Sequence, residues 1–183
     1  SVGVGAPGKS NLRAANYNKL IESGVDVIDG TASFLNASSV EVKSSDGKVQ
    51  PIEAKKFVID TGSYPFVPPA LRTENNPHVY VSESIMDLTE LPERLTVIGG
   101  GYIGLEFSSM YANFGSKVTI VQQEDTFLPR EDADVAQSIR SVLENRGVKI
   151  ITGAQTECID DANLTYIQDG KKYSLAGDAV LLA

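Results

Sequence analysis

The feature that most constrains this chain is a glycine cluster set between an apolar run and a helix-spaced segment, "LTVIGGGYIGLEF" at residues 95–107. Gly99, Gly101 and Gly104 form G-x-G-x-x-G directly after a predicted strand and at the opening of a predicted helix, with Gly100 inside the same turn. Each glycine of the motif has its own role. The first permits a tight turn, the second lets a pyrophosphate reach the backbone, and the third lets helix and strand pack closely. The first helical turn then offers free N–H groups and partial positive charge to phosphate. Taken alone the motif is a weak signal. Here a strand, a helix and a second strand, "KVTIV", succeed one another at the expected spacing, so the residues point to a dinucleotide site. A glycine-rich packing turn is the plainer alternative.

The second strand bears on which dinucleotide is bound. An acid about 20 residues beyond the glycines would hold the ribose 2′-OH, and an arginine nearby would accept a 2′-phosphate. This chain has Gln122 and Gln123 at the strand end, then Glu124 and Asp125, with no Arg or Lys before Arg130. Glutamine bonds a hydroxyl without repelling a phosphate, so neither rule is met. The local negative charge favours NAD over NADP. Gln122 and Gln123 are cofactor-binding candidates, with ordinary solvated strand-end residues as the alternative.

The order of segments sets the fold class. Residues 1–91 open with a helical pattern, "SNLRAANYNKLIESG", stopped at Gly24. "VDVID" and "TASFL" read as short strands, and "SVEVKSSDGKVQPIEAKKFVID" as a hairpin turning at Asp46-Gly47. "KKFVIDTG" reads as an apolar strand, and "SYPFVPPALRTENNPHVY" as a connector. Residues 92–183 alternate strand, helix, strand, helix and strand. Then come the short segments "AQTECID", "NLTYIQD" and "KKYSL", and last the strand "DAVLLA". The expectation is an α/β chain with a Rossmann-like, doubly wound parallel sheet, in which an antiparallel meander replaces one crossover helix.

Composition narrows the function. The 183 residues carry a formal net charge of −8, which disfavours nucleic acid and anionic membrane surfaces as partners. No apolar run approaches the roughly 20 residues of a membrane span. One cysteine, Cys158, and one histidine, His78, allow neither an internal disulfide nor a histidine metal cluster, so no metal site is expected. A cytoplasmic location is the default reading. Cys158 is expected to be a small buried or half-buried residue. The start at Ser1 and the stop at an apolar strand suggest a piece of a longer enzyme.

Together, "VIGGGYIGLEFSSMYANFGSKVTIV", "FLPREDADVAQSIRSVLENRGVKI" and "FVIDTGSYPFVPP" resemble the class I pyridine nucleotide-disulfide oxidoreductases. That flavoprotein family includes glutathione reductase, dihydrolipoamide dehydrogenase and mercuric reductase. "YANFGSKVTI" with "FLPRED" looks most like the reactive-chlorine-resistance and mercuric-reductase-like branch. The resemblance implies a partial FAD-binding domain over 1–91 and an NAD(P)-binding domain over 92–183. It implies hydride transfer from NAD(P)H to FAD and onward to a disulfide or other acceptor, with a homodimeric full-length parent. It carries Gly99, Gly100, Gly101 and Gly104 over to the pyrophosphate turn. Tyr102 falls on the position that covers the flavin and swings aside for nicotinamide. Ile103 would line the nicotinamide pocket, and Glu106 falls on the family glutamate beside it. Thr61 and Gly62 match the strand end that meets FAD, and Thr31 and Ala32 the segment that touches its adenine. Asp60 stands where the family usually has alanine. The redox cysteine pair, its lysine and the later FAD motifs have no counterpart here. A stand-alone NAD(P)-binding sensor or regulatory module is the second reading.

Overall fold

A computed structural model describes residues 6–63, 65, 67–71, 73 and 75–183. They fall into two compact units that divide between residues 63 and 64. The N-terminal unit holds helix α1 (Ala6–Glu22) and strands β1 (Thr31–Asn36), β2 (Ser39–Lys43) and β3 (Val49–Glu53). The strands form an antiparallel sheet in the order β1-β2-β3. Asn36 closes the first turn by accepting the Ser38 N–H, and Asp46 closes the second by accepting that of Lys48. Pro51, which lacks an N–H, sits on the edge strand β3, where a missing donor is tolerated. Val40 and Val42 of the central strand are buried, whereas every residue of β1 is exposed.

The second unit is built on a five-stranded, all-parallel sheet. Its strands are β4 (Val79–Val81), β5 (Arg94–Ile98), β6 (Lys117–Val121), β7 (Lys149–Ile151) and β11 (Ala179–Leu182), in the order β4-β11-β5-β6-β7. Helix α2 (Tyr102–Phe114) connects β5 to β6, and α3 (Ala133–Asn145) connects β6 to β7. A separate antiparallel sheet of β8 (Ala154–Asp160), β9 (Asn163–Gln168) and β10 (Lys171–Leu175) takes the place of the next helix.

Alternation along the strands explains this layering. Leu95, Val97, Val118, Ile120 and Leu181 share one core with Phe107 and Tyr111 of α2 and Leu143 of α3. Val121, Val180 and Leu182 share the other with Ile159, Leu164 and Tyr166 of the meander. A parallel sheet covered on both faces needs apolar residues at consecutive positions, and β11 is buried throughout. Each of its leucines stabilises the fold by about 1.5–3 kcal/mol through burial. The buried phenol of Tyr111 is paired: it donates to the carbonyl of Ile85 at 3.0 Å. Burial, and secondarily Tyr80, pushes its pKa up.

The α/β class, the parallel sheet and the meander stand as the sequence suggested. Three local expectations are corrected. "VDVID" and "KKFVIDTG" form no strand, since no described strand offers either of them a ladder, and Val58 and Ile59 are 93% and 71% exposed. Val79–Val81, expected as connector, is a strand because its backbone pairs with β11. Cys158 is exposed rather than buried, on a strand whose register shifts between Thr156 and Cys158.

Candidate functional site

The glycine turn leaves the carboxyl end of β5, in the middle of the parallel sheet, and its three glycines occupy different environments. Gly99 has φ +106°, a left-handed conformation that disfavours side chains, and a Cβ there would lie 2.3 Å from the carbonyl oxygen of Ala183. A Cβ on Gly104 would lie 2.1 Å from the carbonyl oxygen of Gly99, so helix and turn pack backbone to backbone. Gly101 is the opposite case. Its φ and ψ, −75° and −173°, suit any residue, and nothing lies within 4 Å of an added Cβ.

Gly101 is also the N-cap of α2, and no side chain caps it. A serine or aspartate there would stabilise the helix by roughly a few tenths of a kcal/mol over glycine, yet the position is left bare. The first-turn N–H groups of α2 have no partner inside the helix, and they border the open space beside Gly101. The turn is held from below by Gln122. Its side chain is buried, and its Oε1 accepts the Gly100 N–H at 2.6 Å. Its Nε2 donates to a carboxylate oxygen of Glu124. The ring of buried Phe127 closes the same side, 3.1 Å from the Cβ position of Gly100.

The remaining predicted residues are distributed as follows. Tyr102 starts α2 with its ring 69% exposed, and its hydroxyl donates to Glu131. That hydrogen bond, and then the carboxylate charge, raise the phenol's pKa. Ile103 is partly exposed on the same first turn. Glu106 is exposed one turn further on, in an apolar groove between α2 and α3 that also holds Met110, Val142 and Arg146. It therefore carries no burial cost. Gln123 is exposed at the end of β6, while Gln122 spends both ends of its carboxamide on protein partners. Thr31 and Ala32 lie exposed on β1, opposite Lys43 and Val42. Thr61 and Gly62 are exposed in the same N-terminal unit, with Gly62 at φ +72°. Gly99–Gly104, Glu106, Gln122 and Gln123 thus belong to one unit, and Thr31, Ala32, Thr61 and Gly62 to the other.

Sequence reasoning missed Phe127 and Glu131 as parts of the site, and read Glu124 only as local charge. The only hint was the distinctive "FLPRED" that follows the strand end. Among the described residues no group of His, Cys, Asp and Glu could hold a metal ion, and no helix is long and apolar enough to cross a membrane.

A glycine turn at the carboxyl end of a central parallel strand, opening a helix with bare N–H groups, defines the class of Rossmann-like nucleotide-binding proteins. Residues 4–183 match the family model for pyridine nucleotide-disulphide oxidoreductases, and the chain belongs to that family. It is 43% identical over 173 residues to the probable pyridine nucleotide-disulfide oxidoreductase RclA of Escherichia coli, covering 94% of this chain and 39% of that protein. It is 32% identical to the mercuric reductase of Lysinibacillus sphaericus over 95% of this chain and 32% of that one. The solved structure of the HOCl-induced flavoprotein disulfide reductase RclA from Escherichia coli superposes with a TM-score of 0.77 at 40% identity, over 95% of this chain and 39% of that one. The chain thus spans under half the length of these relatives.

Proposed function

We propose that this chain is the nicotinamide-dinucleotide-binding region, with part of the FAD-binding region, of an FAD-dependent oxidoreductase that takes hydride from NAD(P)H. The observation that carries the reading is Gly101. The fold tolerates any residue there and would gain from a capping one, so the absence of a side chain serves something that approaches from outside. A pyrophosphate fits that space, met by the first-turn N–H groups of α2 and its partial positive charge. Gly99 and Gly104 shape the turn. Tyr102 and Ile103 stand at its mouth, where the nicotinamide end would lie, and Glu106 follows one turn later. Thr31, Ala32, Thr61 and Gly62 are the residues of the N-terminal unit that would hold FAD. The apolar run Phe57–Ile59, which joins no strand ladder among the described residues, supports a place for that unit in a larger sheet. Bound flavin supplies a two-electron acceptor for hydride, with a disulfide or another acceptor downstream.

The test is direct. The full-length protein should purify with flavin absorbance that NADH or NADPH bleaches under anaerobic conditions. Gly101→Val should weaken nicotinamide-dinucleotide binding by about tenfold or more while the melting temperature stays close to wild type. A colourless protein that binds a nicotinamide dinucleotide would favour a sensor module instead. A Gly101→Val variant that binds as well as wild type would overturn the assignment of the turn.

A further inference from the structure

The sequence offers no acid at the position where β6 ends, which is where an NAD-specific site usually places one. The structure supplies one by another route. Gln122 occupies that position but turns inward. Its side chain is 8% exposed, and its Oε1 is committed to the Gly100 N–H at 2.6 Å. Its Nε2 takes the carboxylate of Glu124, two residues on and itself exposed. One buried carboxamide therefore joins the glycine turn to a carboxylate and fixes that carboxylate at the strand end.

The backbone reinforces the placement. The Gln122 N–H donates to Ile151 O at 2.8 Å, the Gln122 carbonyl accepts from Ala154 at 3.0 Å, and the Glu124 carbonyl accepts from Gly153 at 2.8 Å. The segment is thus laced to the end of β7 and is not a free loop. Donation from Gln122 uses part of the acceptor capacity of Glu124, and a carboxylate has about four lone-pair sites. Enough remains to accept two hydroxyl protons.

We infer that Glu124, held by Gln122, is the specificity-determining acid of the dinucleotide site: it accepts the adenosine ribose hydroxyls of NAD(H) and repels the 2′-phosphate of NADP(H). The inference rests on the dinucleotide reading of the glycine turn and adds to it the residue that chooses between the two cofactors. Gln122 is a positioning residue, not a ligand. A ribose diol donates to a fixed carboxylate at little cost, whereas a phosphate brought against it meets like charge. Asp125 adds to that field.

The experiment is a set of equilibrium titrations of the full-length protein with NADH and with NADPH, read as the ratio of the two dissociation constants. The wild type should prefer NADH by about tenfold or more. Glu124→Gln should narrow that ratio at least about fivefold, mainly by tightening NADPH. Gln122→Met, which keeps the volume but releases Glu124, should narrow it by a smaller factor. General loosening of the fold would weaken both nucleotides together and leave the ratio unchanged, so the ratio separates specificity from stability. An unchanged ratio in Glu124→Gln, with both nucleotides still bound, would overturn the inference and leave the dinucleotide site intact. A wild type that prefers NADPH would overturn it in favour of Arg130 as the phosphate ligand. A wild type that binds neither nucleotide would remove the dinucleotide reading itself.

Discussion

The two units put their apolar side chains to different effect. In β11 all four residues are buried, because helices cover one face of the sheet and the meander covers the other. In β1 all six are exposed, and Phe34 and Leu35 keep more than half their surface. Helix α1 likewise exposes Leu12, Tyr17, Leu20 and Ile21. The contrast teaches that apolar patterning alone does not make a core. A second layer must be present to receive it, and only the parallel-sheet unit has two. Exposed apolar surface of this extent is uncommon on a self-sufficient domain.

Mutations can break or sharpen that contrast. The largest effect is expected from Gly104→Ala, whose Cβ would be driven into the backbone carbonyl of Gly99. Neither group can swing aside, so the substitution should cost about 3 kcal/mol or more, seen as a large drop in urea midpoint or in soluble yield. Next comes a matched pair. Leu181→Ala, at a fully buried position, should cost about 2–5 kcal/mol. Leu35→Ala, at a position 54% exposed, should stay within about 0.5 kcal/mol of wild type. If both cost the same in a urea titration, the two units are not differently packed and the comparison fails.

A modest effect is expected at the ion pair at the foot of the parallel sheet. Asp178 accepts from the Arg94 backbone N–H at 2.9 Å, from its Nε at 3.2 Å and from its Nη2 at 2.6 Å. These bonds, above all those of the guanidinium, hold its carboxyl below the usual 3.8. A depressed carboxylate adds stability that is fully present above its unfolded pKa and is lost as pH falls through the folded one. The window therefore lies below pH 3.8. The pair is partly exposed and screened, so Asp178→Asn should lower the melting temperature by no more than about 2–4 °C at neutral pH. The difference between variant and wild type should shrink in acid. A difference that grows in acid would assign the stability to another group.

The sequence made some parts of this structure readable and hid others for physical reasons. The glycine turn, α2, α3 and the meander were legible because their signals are local: a turn motif, helical spacing with a stop, short alternating runs. β4 was hidden because three residues after a proline- and asparagine-rich stretch carry no periodicity, and only its pairing with β11 makes it a strand. "KKFVIDTG" misled in the opposite direction, since its apolar run has the composition of a buried strand but no described neighbour to pair with. At the site, Gln122 was visible as a residue but not as a direction. Nothing in "TIVQQED" says which glutamine turns inward, and that choice separates a ligand from a brace. Glu131 was equally hidden, because its contact with Tyr102 spans 29 positions.

The sheet order carries a consequence for how the protein is made. β11, the last strand in the sequence, lies between β4 and β5, and its neighbour on β5 was synthesised some 80 residues earlier. On a ribosome adding about 5–20 residues per second, β5, α2 and β6 emerge and wait on the order of ten seconds for that strand. Until it arrives, β4 has no ladder and the apolar edge of β5 is open to any other strand. The carbonyl of Ala183 that crowds Gly99 is missing too, so the glycine turn acquires its final shape only once residue 183 has emerged. A nascent chain stalled before residue 179 should accordingly depend on chaperones, and one stalled well after residue 183 should not.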